Sequence, residues 1–256
     1  MKISFIGAGR VAHHLAQALC AQHQIIQIYS RTFSHAQTLA EKVGAQGISS
    51  FVALDPSIDL LVIAVSDHAI AEVAAAVHAH LPDVLVVHTS GSTDLNVLTQ
   101  AHARAGVFYP LQTFSIGRDM DWRNTPLLVE ATHETDQQSL VALAQQLSER
   151  VYAYSSAQRL SLHLAAVFAC NFSNYCYDMA QQLVDQRQVD FSLLYPLMLE
   201  TAQKATLHVP QSVQTGPAMR GDQHILTLHQ QMLEQAERPD LAEVYALLSQ
   251  QIQARQ

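Results

Sequence analysis

Up to about residue 155 the chain alternates between two hydrophobic patterns. Short runs rich in β-branched residues and leucine recur at Lys2–Ile6, Ile25–Tyr29, Leu60–Val65, Val84–His88, Gly106–Tyr109, Leu127–Glu130 and Val151–Tyr154. They are apolar without a polar residue at every second position, as strands covered on both faces are. Between most of them lie Ala/Leu/Gln-rich stretches at helical spacing, such as Val11–Ala21 and Ala69–His80. This alternation predicts βαβ units in a doubly wound, mainly parallel sheet, an α/β fold. From Ser156 the pattern changes. No strand run follows, and long helical patterns are interrupted at Tyr195-Pro196, Val209-Pro210, Gly216-Pro217 and Arg238-Pro239, where proline stops or kinks a helix. We therefore expect two domains, α/β over residues 1–155 and all-α over 156–256.

The longest apolar stretch, Leu160 to Tyr177, carries no formal charge but contains Ser161, His163, Asn171, Ser173 and Asn174. A membrane span rarely tolerates so many polar groups, so a buried helix is expected. A helix apolar on most faces must be covered on most faces. That predicts a homodimer in which C-terminal helices pack across a two-fold axis. Composition supports the globular reading: 49% of the 256 residues are hydrophobic and only 14% charged, which excludes a charge-rich disordered chain. The net charge of −8, with acids spread over both halves, argues against nucleic acid as a partner. Cys20, Cys170 and Cys176 form no CxxC pair, and Met1-Lys2 runs directly into a strand pattern. Both point to reduced thiols and a cytoplasmic location, with no membrane partner.

Chemistry enters at the first strand–helix junction. Gly7-Ala8-Gly9-Arg10-Val11-Ala12 is a Gly-x-Gly-x-x-Ala turn between a strand and a helix, the context in which this motif holds a dinucleotide. The first glycine makes the tight turn, the second lets backbone approach a pyrophosphate, and the small third residue packs helix on strand. The expected fold is thus of the Rossmann type. NAD sites place an acid near the end of the second strand for the ribose 2′-hydroxyl. Here Ser30-Arg31-Thr32 stands instead, three donors that suit a 2′-phosphate, so NADP is predicted over NAD. Three later strand ends carry polar clusters: Val65-Ser66-Asp67-His68, His88-Thr89-Ser90-Gly91-Ser92 and Tyr109-Pro110-Leu111-Gln112-Thr113-Phe114. Asp67 and Ser92 suit helix capping as well as ligand contact. His88 and Ser90 have no obvious capping duty and are expected on the ligand crevice, since ligands sit outside the carboxyl ends of such strands.

The Gly-Ala-Gly-Arg-Val-Ala start, His88-Thr89-Ser90-Gly91, Tyr109 to Phe114, His163 to Phe172, and Thr215-Gly216-Pro217-Ala218-Met219-Arg220-Gly221-Asp222 together resemble a group of bacterial Rossmann-like proteins whose second half is domain of unknown function 2520. That group is similar to the 6-phosphogluconate dehydrogenase-like superfamily, which includes pyrroline-5-carboxylate reductase, ketopantoate reductase and β-hydroxyacid dehydrogenases. The resemblance implies an NADP-type Rossmann domain and a helical domain that often dimerises; it implies no substrate. One departure stands out. The β-hydroxyacid and ketopantoate enzymes place a catalytic Lys four residues before an Asn on the first long helix after the sheet. Asn171 matches the Asn, but Val167 occupies the Lys position.

Hydride transfer to a carbonyl or imine needs a nicotinamide, an acid and donors for developing charge. Imidazole titrates near neutrality, so His163 is the expected proton donor, with Asn171 beside the substrate and Tyr109 a rival donor. Gln112 and Arg220 are candidate substrate contacts; Asp222 suits pairing with Arg220 or capping a helix. The 14 histidines show no ligand spacing with a nearby acid, so no metal site is expected. The sequence thus points to an NADP-dependent oxidoreductase acting on a small carbonyl or imine compound. Gly7, Ala8, Gly9, Arg10, Val11, Ser30, Arg31, Thr32, Val65, Ser66, His88 and Ser90 would hold the cofactor. The other reading is a catalytically silent dinucleotide-binding regulatory protein, for which the missing lysine leaves room.

Overall fold

A computed structural model describes residues 1–255. The chain forms two compact units, Met1–Val167 and the residues from Phe168 onward.

In the first unit, β1 (Lys2–Ile6), α1 (Arg10–Leu19), β2 (Gln24–Tyr29), α2 (Phe33–Val43) and β3 (Gln46–Ile48) make one half of the winding. The second half is β4 (Leu60–Ile63), α3 (Ile70–His78), β5 (Leu85–His88), α4 (Asn96–Thr99) and β6 (Ala105–Pro110). Then come β7 (Leu127–Ala131), α5 (Glu134–Gln145), β8 (Val151–Ala153) and α6 (Ser156–Ala166). The sheet has 8 strands in the order β3-β2-β1-β4-β5-β6-β7-β8. All neighbours pair in parallel except β6 with β7. The first six strands follow the Rossmann order, whose switch point lies between β1 and β4. The expected α/β class and mainly parallel sheet are what the chain adopts.

Period-2 burial explains the continuous apolar strands. Leu60 and Val62 point into the core beneath α1, α2 and α5, while Leu61 and Ile63 point into the core beneath α3 and α4. Both sheet faces are covered, so most strand positions are apolar, and the exceptions Ser4, Gln27 and His88 are buried too. The sequence pattern missed β3, a three-residue edge strand containing Gln46 and Gly47.

The unit border lies at Val167, later in the chain than the composition change at residue 155, because α6 is fastened to the sheet. Arg159, 1% exposed, bonds Glu130 on β7 at 2.6 Å. Its guanidinium also donates to the Thr93 carbonyl and to Ser156 Oγ. Ser156 donates to both oxygens of Glu130 and accepts the Leu95 N–H. Ser155 and Gln158 close a capping box at the start of α6.

The second unit is helical. A π-helical turn, Val167–Phe172, leads into α7 (Ser173–Asp185), followed by α8 (Tyr195–Leu207), α9 (Pro217–Arg220), α10 (Gln223–Gln235) and α11 (Pro239–Gln253). The prolines read as helix breakers prove to be helix starters. Pro196, Pro217 and Pro239 stand in the first turn of α8, α9 and α11, where a missing N–H costs nothing. Pro210 likewise opens a 3-10 turn.

The expectation that Leu160 to Tyr177 is buried fails within one chain. Leu160, Leu164, Phe168, Phe172 and Tyr175 are between 49% and 63% exposed. No helix among the described residues is long and apolar enough to cross a membrane.

Candidate functional site

The carboxyl ends of β1, β2, β4 and β5 open onto a cleft of about 610 Å³, a size usual for small-molecule sites. Its floor is the glycine turn. Gly7 sits at φ +113°, and a Cβ there would meet the Ala64 carbonyl oxygen at 2.2 Å. Its N–H donates to the Tyr29 carbonyl at 2.8 Å, fixing the turn between β2 and β4. Gly9 caps α1 in extended backbone with no side-chain cap, and a Cβ on it would meet nothing within 4 Å. The first-turn N–H groups of α1 therefore lack a side-chain acceptor, at the positive end of the helix, beside open space. This arrangement fits a dinucleotide pyrophosphate. Ala8, Arg10 and Val11 line the same cleft.

At the β2 end, Tyr29 stacks on Phe51 with ring centres 4.3 Å apart. Ser30 and Arg31 line the cleft beside them; Arg31 is exposed and has no carboxylate within 4 Å among the described residues. Thr32 does not line it. It caps α2 and donates its N–H to Ser30 Oγ at 3.3 Å. An acid does face the cleft, though not from β2: Glu72 comes from α3.

The opposite end is built from β4, β5, β6 and α6. Val65, Ser66, Asp67, Thr89, Ser90, Gly91 and His163 line the cleft here. Tyr109 Oη lies 3.4 Å from His163 Nδ1. Gly91 makes the approach possible, because a Cβ on it would sit 2.6 Å from His163 Nδ1 and 2.8 Å from the Tyr109 ring. Burial raises the Tyr109 hydroxyl above its ordinary pKa; the Asp67 carboxylate adds to the rise and Arg159 opposes it. Tyr109 thus stays protonated, a neutral donor next to an imidazole. Asp67 accepts the Ser92 hydroxyl proton through Oδ2. It serves as a cleft-wall acceptor, and Ser66 rather than Asp67 stands at the cap of the short helical turn.

His88 and Ser90 do have structural duties, contrary to expectation. Ser90 Oγ accepts the N–H groups of Ser92 at 3.1 Å and Thr93 at 2.9 Å. His88 Nδ1 accepts the Ser90 N–H at 3.1 Å, which places the ring proton on Nε2. Nε2 is buried without a partner. His88 is fully buried and does not line the cleft; burial, aided by Arg159 and opposed by Asp67 and Asp94, lowers its pKa to about 3. Together the two side chains shape the turn that carries Gly91.

Gln112, of the first unit, does not line this cleft. Gln112 is exposed and spends its Oε1 on the Thr113 N–H at 2.8 Å. Asn171 and Arg220 belong to the second unit and are exposed. Asn171 lies in the π-helical turn, so a 100° step per residue does not relate it to His163. Asp222 takes the capping role, accepting the Ile225 N–H at 3.2 Å. No group of three His, Cys, Asp or Glu side chains among the described residues has metal-site geometry. The residues that sequence reading missed are Gly91 and the Arg159–Glu130–Ser156 network. A lone arginine heading an otherwise uncharged helix was the available signal for the network.

The fold and glycine turn define a dinucleotide-binding protein of the Rossmann class. Residues 2–91 match the family described as NADP oxidoreductase, coenzyme F420-dependent, and residues 125–252 match domain of unknown function 2520. The chain belongs to the family that joins these two parts. A protein from Bacteroides fragilis provisionally named an NADP oxidoreductase is 40% identical, with a TM-score of 0.92 over 99% of this chain and 98% of that one. A reductive aminase from Aspergillus terreus, solved with NADPH4, cyclohexanone and allyl amine, has a TM-score of 0.72 at 19% identity over 99% and 92% of the two chains. An imine reductase from Myxococcus stipitatus in complex with NADP+ has a TM-score of 0.70 at 15% identity over 99% and 95%. The last two share the fold alone. No curated protein matches the chain.

Proposed function

We propose that the protein is an NADP-dependent oxidoreductase that reduces a small carbonyl or imine compound. The observation that carries this reading is one cleft with an uncapped glycine turn at its centre, Arg31 at one end and the His163–Tyr109 pair at the other. Gly7, Ala8, Gly9, Arg10 and Val11 would hold the pyrophosphate, and Ser30 and Arg31 the 2′-phosphate. Val65, Ser66 and Ser90 would line the nicotinamide end. When bound, the dinucleotide supplies or accepts hydride. His163 faces the cleft and donates the proton, while Tyr109 holds the imidazole through Nδ1 and leaves Nε2 for the substrate. The Tyr109 and His163 donors stand where negative charge would develop.

The experiment is a paired titration of NADPH and NADH with a screen of carbonyl and imine compounds. NADPH binds at least tenfold tighter than NADH, and Arg31→Ala removes that preference by costing NADPH alone. His163→Gln lowers turnover at least a hundredfold. Equal dinucleotide affinities, or a preference that survives Arg31→Ala, refute the cofactor assignment. Tight NADPH binding with no reduction supports the regulatory reading instead, which Val167 in place of lysine favours.

We also propose that the protein works as a homodimer through its helical unit. Among the described residues from Phe168 onward, only Ala218, Leu226, Leu233 and Leu241 are buried apolar residues. Phe168, Phe172, Leu193, Leu197, Leu199, Leu207 and Val209 are all exposed. A second copy is the occupant that this arrangement calls for, because a unit with so little core of its own needs a partner to bury it.

A further inference from the structure

The reductase reading leaves open whether the substrate enters neutral or charged, and the charges of the cleft bear on that. Asp67 and His163 line this end of the cleft, and Tyr109 packs with His163 against Gly91; Glu72 is the other acid that lines the cleft. Asp67 takes one hydrogen bond, from Ser92, and has no cation within 4 Å among the described residues. Arg159 acts on Tyr109 electrostatically, but its two terminal nitrogens are bonded to Glu130, Thr93 and Ser156, and its Nε is buried without a partner. The three lysines lie elsewhere: Lys2 at the amino end of β1, Lys42 on α2 and Lys204 on α8, paired with Glu200. Arg31 stands at the end of β2, three strand spacings from β5, about 14 Å across the sheet. Arg10 sits at the glycine turn between them, where a pyrophosphate would claim it.

This pattern discriminates between the two electrophiles. A carbonyl that accepts hydride develops negative charge on oxygen; the His163 and Tyr109 donors would meet that charge, but the Asp67 carboxylate, with no cation within 4 Å among the described residues, would oppose it. An iminium brings a positive charge in and leaves as a neutral amine. The C–H bond forms with the incoming hydride, the C=N π pair retires onto nitrogen, and the dinucleotide is oxidised; a neutral imine takes the His163 proton on nitrogen beforehand to become this iminium, and a preformed iminium needs none. Resting on the reductase reading above, we propose that the cleft is built for a cationic nitrogen substrate of the iminium class, with Asp67 as its charge partner and specificity-determining residue.

The test uses the full chain and isothermal titration. The probes are a cyclic N-methyl iminium salt, permanently charged, and a cyclic ketone of the same ring skeleton, each with and without NADP+. The iminium binds at least tenfold tighter than the ketone. Asp67→Asn abolishes that preference, whereas Asp67→Glu and Ser92→Ala, which keep the charge, retain it. Equal affinities, no iminium binding under either condition, or a preference that survives Asp67→Asn overturns the proposal. NADPH affinity of the unaltered chain, followed by fluorescence, reports separately on the reductase reading. Its loss beside an intact cation preference removes the reductase and leaves Asp67 as a cation site; normal NADPH binding without a cation preference removes only the role of Asp67.

Discussion

Gly91 is the residue on which the geometry of the site turns. It lets an imidazole and a phenol from different elements meet over a bare backbone. Gly91→Ala forces both rings outward, and overpacking of this kind costs about 1–3 kcal/mol, measured by urea unfolding. Tyr109→Ala added to Gly91→Ala recovers part of that loss. His88, next along the same strand end, gives a pH prediction. Folded His88 stays neutral down to about pH 3, while the unfolded imidazole takes up a proton below about 6.5. Stability therefore falls as pH drops from 6.5 toward 3, by up to about 1.4 kcal/mol per pH unit, and this group contributes no slope above 6.5. His88→Asn keeps an acceptor for the Ser90 N–H and flattens that limb in urea titrations at pH 4, 5 and 7. At this scale the sequence was legible wherever a residue type has one physical use. Gly7 and Gly9 are such cases, since position in a strand–turn–helix leaves them no other role. His88 is less legible, because a polar strand end serves a turn as readily as a ligand: its ring is buried behind the turn, whereas Ser90 both holds the turn and lines the cleft.

Among the elements, α6 is fastened to the sheet by the Arg159–Glu130 ion pair and the hydrogen bonds around it. Arg159 is buried and Glu130 nearly so, and Ser156 and the β5–α4 turn share their hydrogen bonds. Removing one partner strands the other charge, which costs about 3–5 kcal/mol. Glu130→Gln should thus lower the melting temperature by roughly 10 °C, read by circular dichroism. Replacing both residues with apolar ones costs less than that single change. The strands of this sheet were legible because burial on both faces leaves an unbroken apolar run. β3 was not, since three edge residues carry no such run. The helix starts at Pro196, Pro217 and Pro239 were read as breaks, because proline marks a boundary without telling which side of it is helical. The π-helical turn left no mark in the composition, so Asn171 and His163 were assigned to one regular helix.

For the whole molecule, the low charge content takes on a specific meaning. The first unit uses its apolar residues in two cores; the second leaves about half of its large ones exposed and buries few of them. The sequence marks Leu160 to Tyr177 as apolar and uncharged, and the single chain leaves five of its large side chains exposed. Static light scattering at micromolar concentration should return twice the 28.2 kDa chain mass, and a monomer would refute the dimer. Leu197→Arg on α8, half or more exposed in the single chain, should shift that mass toward the monomer and expose dye-binding surface.

The tight packing around Gly91 also has a bearing on history. A lineage in which position 91 acquires a side chain cannot do so while both rings remain, because the first step is the costly one. The rings at 163 and 109 must shrink or withdraw earlier or together with it, so descendants that keep both rings should keep the glycine.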